Sequence, residues 1–485
     1  MNYRAVFNII GKVLCIVAVF MLPALVISLA CGERAGAIAL AVSMVIGFAV
    51  GVPLARLRPK RPDIFAREGL VTVGLAWIFV SLLGALPFLL SASIPNYIDC
   101  VFETVSGFTT TGATIVADVE ILPKGILYWR SFTHWLGGMG VLVFLLILNP
   151  LSDKNSGESM HLLRAESPGI KASKLVPRMK DSAGILYRIY IALTVLEFVL
   201  LVLGRMPVFD AVCLAFGTAG TGGFGVLNAS VAPYNAYCQW VITVFMLLFG
   251  VNFNVYFLLL IKKYRKSLKN EELIVYACVV LTSIVLICIN IAGRYPTVEE
   301  TVRTAAFQVA SIISTTGFST ANFDLWPQLS RTILVALMFC GACAGSTGGG
   351  AKVIRVIISF KAARRSIYKT MHPNSVRIIH VDGERIDDAT VSAVGAYMLV
   401  YFIITAAAIL LVSLDGLSFE TNFTAVAACM NNIGPGLGAV GPVENYCVFS
   451  WFSKIVLTLS MLIGRLEIYP ILLLFTPSVW RKIQR

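Results

Sequence analysis

Apolar residues run in long uninterrupted stretches along the chain, and polar residues gather in the short intervals between them. Residues 69–90, 185–203, 241–261, 273–291, 391–414 and 455–474 are each apolar for long enough to cross roughly 30 Å of hydrocarbon as a helix. At the start, Arg4 and Lys12 precede an apolar stretch that could mimic a signal peptide. A second run, 35–52, comes directly after Glu33 and Arg34, so this region reads as an uncleaved helical hairpin. The pattern predicts an all-α polytopic membrane protein of about ten spanning helices.

Composition agrees: 58% of residues are hydrophobic and 13% are charged, far from the balance of a soluble domain. The formal charge of +13 raises the question of nucleic acid, and the placement of the basic residues answers it. They fall in alternate intervals: Arg56 to Arg67, Lys154 to Lys180, Lys262 to Lys269, Lys352 to Arg385, and Arg481 to Arg485. This is the positive-inside pattern, which puts those loops and both termini in the cytoplasm against an anionic leaflet and leaves no basic face for nucleic acid. The 11 cysteines lie mostly in apolar runs and imply no disulfide framework. Cys340 and Cys343 form an isolated C-x-x-C, and His134, His161, His372 and His380 show no metal-ligand spacing, so no transition metal or bound cofactor is expected.

Four short glycine-bearing segments interrupt the apolar pattern at intervals of roughly 100 residues. They contain Thr110-Thr111-Gly112, Thr221-Gly222-Gly223, Thr315-Thr316-Gly317 and Asn432-Ile433-Gly434. The thirteenth residue before each register glycine is Asp99, Asp210, Thr304 and Thr421, all good N-cap types. Between cap and glycine lies a mostly apolar stretch of about two to three turns, too short to span the bilayer. Each unit thus reads as spanning helix, capped half-helix, extended glycine segment and second spanning helix. A half-helix ending at mid-membrane aims carbonyls worth about half a negative charge at the glycine segment beyond it. Irregular backbone is tolerated at that depth only where it lines a cavity, and four such segments around an axis could offer rings of oxygens to replace the hydration shell of K⁺. No carboxylate lies in the four segments, which argues against a divalent-cation filter.

With these segments, the chain resembles the TrkH-like subunits of bacterial Trk potassium uptake systems, in the Trk/Ktr/HKT superfamily. The resemblance extends to His134-Trp135-Leu136-Gly137-Gly138-Met139-Gly140, Ala344-Gly345-Ser346-Thr347-Gly348-Gly349-Gly350, Asn432-Ile433-Gly434-Pro435-Gly436-Leu437-Gly438 and Gly464-Arg465-Leu466-Glu467. It implies four M1-P-M2 repeats after an N-terminal helix pair, a homodimer with one pore per subunit, and a TrkA-type cytoplasmic nucleotide-binding ring as regulator. The expected division is 1–62 for the N-terminal hairpin, 63–150 for repeat 1, 151–184 for a cytoplasmic linker, 185–265 for repeat 2, 266–360 for repeat 3, 361–388 for a second linker, and 389–485 for repeat 4. Family members with Ser in the first filter segment are associated with Na⁺ permeation, so Gly112 favours K⁺. A Na⁺-permeable or poorly selective cation transporter is the alternative. A polytopic membrane enzyme is a more distant one, for which Glu103, Glu197 and Glu467 are only isolated candidates.

Two features bear on control. Arg465 lies in the otherwise apolar final run, and the family places an Arg below the filter, where its charge would oppose a passing cation. Residues 341–350 break the second helix of repeat 3 with glycines and small polar residues, which by propensity alone could be a kinked helix; the resemblance implies a gate here, at Gly345, Ser346, Thr347, Gly348, Gly349 and Gly350. The stretch lacks the Gly-Lys pair, the succeeding Ser or Thr and the preceding strand of a Walker A loop, so it is not a phosphate site. Residues 376–386 predict a small cytoplasmic hairpin with Asp382-Gly383 as its turn.

Overall fold

Long apolar runs become helices because a helix satisfies its own backbone in lipid, where no water can. A computed structural model describes residues 1–57, 66–140 and 179–480. Basic residues Arg58, Lys60, Arg61, Lys154, Arg164, Lys171, Lys174, Arg178, Arg481, Lys482 and Arg485, and most of the expected linker 151–184, lie outside the described residues. Six described helices are long and apolar enough to cross a membrane: Tyr3–Ala30, Arg34–Ala55, Arg67–Leu90, Gly184–Leu203, Glu271–Asn290 and Asp388–Asp415. Their outer faces carry exposed Val26, Leu29, Ile38, Val45, Ile289 and Leu410, as a surface facing lipid does. This is a multi-pass, mainly helical membrane protein.

The first unit comprises α1 (Tyr3–Phe20), α2 (Leu22–Ala30) and α3 (Arg34–Ala55), with Pro23 opening α2 where α1 ends. A series of long, short and further helices follows, three main ones in the first group and four in each of the next three. It is α4 (Ala66–Gly84), α5 (Tyr97–Phe108) and α6 (Lys124–Gly138); α7 (Met179–Leu203), α8 (Val208–Gly220), α9 (Ala236–Phe249) and α10 (Phe253–Leu260); α11 (Glu271–Asn290), α12 (Val298–Ile313), α13 (Gln328–Cys340) and α14 (Val353–Met371); and α15 (Asp388–Val412), α16 (Phe419–Met430), α17 (Trp451–Arg465) and α18 (Tyr469–Leu474).

The short second helices α5, α8, α12 and α16 hold 12, 13, 16 and 12 residues, longer than the two to three turns expected. They begin earlier because their caps lie upstream: Asn96, Thr297 and Ser418 accept from the backbone of Ile98, Glu300 and Thr421, and Pro207 precedes α8. The residues expected as caps fall inside the helices. Asp99 and Asp210 sit in the first turn, where a carboxylate favours the N-terminal dipole, and Asp99 also accepts from Lys454 Nζ at 2.8 Å. These short helices are largely buried. In α16, Ala425 to Cys429 are fully covered, whereas the long helices expose much of their surface.

Two apolar runs that look continuous in sequence are broken. Residues 241–261 divide into α9 and α10, bent by 90°, because Asn252 caps α10 by accepting from Asn254 N. Residues 455–474 divide into α17 and α18, with Glu467 and Ile468 at φ of 55° and 72° between them. The expected hairpin forms as β1 (Ile379–Val381) and β2 (Glu384–Ile386), antiparallel, with Val381 opposite Glu384. Its apolar face joins Ile354, Ile358 and Val391.

Candidate functional site

Each short helix ends in the same way. The residue two before the register glycine, Thr110, Thr221, Thr315 or Asn432, takes the left-handed conformation, at φ of 56°, 54°, 61° and 56°. The next residue, Thr111, Gly222, Thr316 or Ile433, donates its N–H back to Ser106, Gly217, Ser311 or Ala428, each at 2.8 Å. This is the Schellman closure, which satisfies helix-end carbonyls and turns the chain away from the axis. It usually employs glycine. A β-branched residue there costs about 1–2 kcal/mol, so three threonines at one register position mark a geometry held by its surroundings. The register glycines come next at φ of 78°, 78°, 87° and 94°, angles that glycine alone adopts without strain.

The four segments then close on one another. A Cβ on Gly112 would overlap the carbonyl oxygen of Gly222; on Gly223, that of Thr316; on Gly317, that of Ile433. On Gly434 it would meet the oxygen of Thr111 at 2.7 Å. Each copy therefore presses one carbonyl against the glycine of the copy before it, and the fourth meets the first. The contacts are backbone to backbone, which is why no side chain fits at these positions.

Side chains tie the ring from outside. Thr111 Oγ1 lies 2.8 Å from Thr109 Oγ1, and Thr316 Oγ1 lies 2.7 Å from Ser314 Oγ, the same pair in the first and third copies. Asn432 Nδ2 donates to Thr111 Oγ1 at 2.9 Å, joining fourth copy to first. Tyr446 donates its hydroxyl to the Gly434 carbonyl at 2.6 Å.

Residues 341–350 lie against this ring. A Cβ on Gly348 would meet Ser314 O at 2.9 Å, and one on Gly349 would meet Asn431 O at 2.6 Å, so the stretch runs across the C-terminal ends of α12 and α16. It is fastened from several sides. Gly349 N donates to Thr315 Oγ1 at 2.7 Å, Phe253 N to Gly345 O at 3.0 Å, and Cys343 N to Gly250 O at 3.0 Å. Glu272 of α11 accepts from Ala344 N at 2.7 Å and Ile354 N at 3.2 Å, holding both ends of the stretch with one carboxylate. Ser346 hydroxyl donates to Cys343 O, and Thr347 hydroxyl to Phe249 O. Gly350, at φ of 79°, abuts Gly341.

Arg465 ends α17 and reaches the same stretch. Its Nη1 donates to Thr347 O at 2.7 Å, and its Nη2 to Gly137 O at 2.5 Å and Gly138 O at 2.8 Å. It thereby links the first, third and fourth units and caps the C-terminal carbonyls of α6 with a cation. Two residues on, Glu467 pairs with Arg355 of α14, whose guanidinium lies 4.1 Å from the Tyr397 ring centroid. The four glycine segments, residues 345–350 and Arg465 thus meet in one centre. Glu272 and Arg355 belong to it too, although the sequence pattern gives Glu272 no part and counts Arg355 only among the basic residues of a cytoplasmic loop; each is a charge close to an apolar run, the signal that would find them.

Four non-helical segments thus meet at the buried centre of this helical membrane protein, where surrounding protein accommodates irregular backbone. The class is a polytopic membrane transport protein. Residues 37–482 match the family described as TrkH, cation transport protein, and the chain belongs to that family. It is accordingly a transporter and not an enzyme. It is 34% identical over 491 residues to the Trk system potassium uptake protein TrkH of Salmonella typhimurium, covering 99% of this chain and 100% of that one. It is 31% identical to the Trk system potassium uptake protein TrkG of Escherichia coli strain K12, covering 99% of each. The crystal structure of the potassium transporter TrkH from Vibrio parahaemolyticus superimposes with a TM-score of 0.89 at 31% identity, covering 99% of this chain and 100% of the other.

Proposed function

We propose that this chain carries K⁺ into the bacterial cell across the cytoplasmic membrane, through a selectivity filter made by the four glycine segments. The observation that carries the reading is the closed ring, in which the carbonyls of Gly222, Thr316, Ile433 and Thr111 lie against the register glycines Gly112, Gly223, Gly317 and Gly434. Carbonyl oxygens in rings replace the hydration shell of a monovalent cation, and the C-termini of α5, α8, α12 and α16 add negative potential at the same place. The relatives' names supply the ion, and Gly112 in place of Ser supports K⁺ over Na⁺.

In this reading the four units 63–150, 185–265, 266–360 and 389–485 are M1-P-M2 repeats around one pore, after the N-terminal hairpin 1–62. Residues Gly345, Ser346, Thr347, Gly348, Gly349 and Gly350 form the gate. Arg465 acts as its latch as much as an electrostatic barrier, because its guanidinium binds Thr347 O directly. The chain works as a homodimer with both termini in the cytoplasm, where a TrkA-type nucleotide-binding ring regulates it. The experiment is flux into liposomes carrying the purified chain, with and without its regulator. K⁺ uptake exceeding Na⁺ uptake is expected; a chain that passes neither ion under either condition contradicts the reading.

A further inference from the structure

The second glycine segment lacks a side chain where the others have one. Gly222 stands at the position of Thr111, Thr316 and Ile433, and so it cannot form the hydroxyl pair that braces the first and third segments. Its substitute comes from the neighbouring copy. His134 of α6 is fully buried, and a Cβ on Gly222 would overlap three atoms of its ring, Cγ, Nδ1 and Cδ2. The imidazole stacks on Phe224 with centroids 4.1 Å apart and an interplanar angle of 25°.

One turn earlier on α6, Arg130 places its guanidinium carbon 3.5 Å from the centroid of the same Phe224 ring and donates from Nη1 to Gly225 O at 3.1 Å. Arg130 is itself held by Glu103 of α5, Nε to Oε1 at 2.6 Å, both side chains buried. Glu103 also accepts from Thr114 Oγ1 at 2.9 Å and, through its other oxygen, from Ile115 N at 3.0 Å, just beyond Gly112. Residues 222–225 are therefore gripped from behind by two side chains of the first copy, and Glu103 joins that grip to the first segment. The residues in register with Glu103 in the other copies are Leu214, Gln308 and Ala425, none of them a carboxylate.

We propose that His134, steadied beside Arg130 and Glu103, is a positioning residue for the ion path: its ring replaces the missing side chain at position 222 and fixes the carbonyls of the second segment, thereby setting the preference for K⁺ over Na⁺. The inference rests on the pore reading above. Filling space behind a backbone segment fixes it as a packed core does, and an emptied space lets the segment relax into it.

The test is the bi-ionic reversal potential of purified protein in bilayers for His134→Ala, Gly222→Thr, the double variant, and Gly112→Ser as a control that touches the ring but not His134. The expected K⁺ preference of His134→Ala is about tenfold lower, the change made by about 1.4 kcal/mol of differential binding. Gly222→Thr alone collides with the imidazole and loses flux. The double variant gives the new threonine the vacated space and recovers flux with most of the preference, a coupling that independent sites would not show. A folded His134→Ala with unchanged preference, beside an altered Gly112→Ser, overturns the role of His134 and leaves the pore reading standing. Unchanged preference in both overturns the pore reading itself. Where His134→Ala does not fold, the double variant decides: recovered preference supports the proposal, and a folded double variant no more selective than Gly112→Ser overturns it.

Discussion

At the scale of single residues, the ring depends on positions where a side chain cannot be accommodated without moving a carbonyl. Gly112 is the clearest, since its Cβ would fall on Gly222 O. Gly112→Ser should displace one quarter of the ring and lower K⁺ uptake relative to Na⁺ uptake, measured as paired tracer fluxes. The ion pair behind the ring has a different consequence. Removing one partner of a buried pair strands the other, at about 3–5 kcal/mol. Glu103→Ala, which leaves Arg130 buried and uncompensated, should therefore lower the thermal unfolding midpoint in detergent well below that of Gly112→Ser. The register glycines were legible in the sequence because glycine is conspicuous among apolar residues. The left-handed angles of Thr110, Thr221 and Thr315 were not, because a β-branched residue seldom adopts them. His134 was equally hidden. Its part depends on meeting Gly222, a residue of the next copy far along the chain, which no local pattern encodes.

At the scale of elements, the stretch 341–350 is held by bonds that converge from α10, α11, α12 and α17 and their flanking residues. If the stretch is the gate proposed above, opening it requires breaking those bonds, and variants that remove them should shift the balance towards the open form. Arg465→Ala removes the donor to Thr347 O together with a fixed positive charge, and should raise K⁺ conductance in single-channel or flux recordings. Glu272→Gln keeps the size but removes the anion that accepts from Ala344 and Ile354, and should raise conductance in the same direction. The two effects should be less than additive, because both loosen one stretch. A rise for Arg465→Ala with none for Glu272→Gln would assign the barrier to charge alone. Sequence periodicity located the long helices but not the breaks within 241–261 and 455–474. Apolarity is nearly uniform across both, and the interruptions are set locally by the Asn252 cap and by the angles of Glu467 and Ile468. The short helices start earlier than the sequence suggests, since Asp99 and Asp210 mimic caps while serving as first-turn acids.

At the scale of the whole molecule, the long apolar helices surround a core of four short ones whose C-terminal ends share a closed ring of backbone. The exterior was plain from composition alone, and the positions of the four glycine segments from the spacing of their glycines. Ring closure was not, because it depends on contacts between segments that lie far apart in the chain. The ring is also unequal: hydroxyl pairs brace the first and third segments, an imidazole the second, and Tyr446 engages the fourth. The first and third quarters thus share one kind of support, and the second and fourth have others. The central claim is that this ring passes K⁺ in preference to Na⁺. Its most direct test is the reversal potential of the purified chain, with its regulator, in a bilayer with K⁺ on one side and Na⁺ on the other. A potential displaced far towards the K⁺ equilibrium value, and moved back towards zero by Gly112→Ser, is the predicted result. A potential near zero in the unaltered chain, with conductance present, would contradict it.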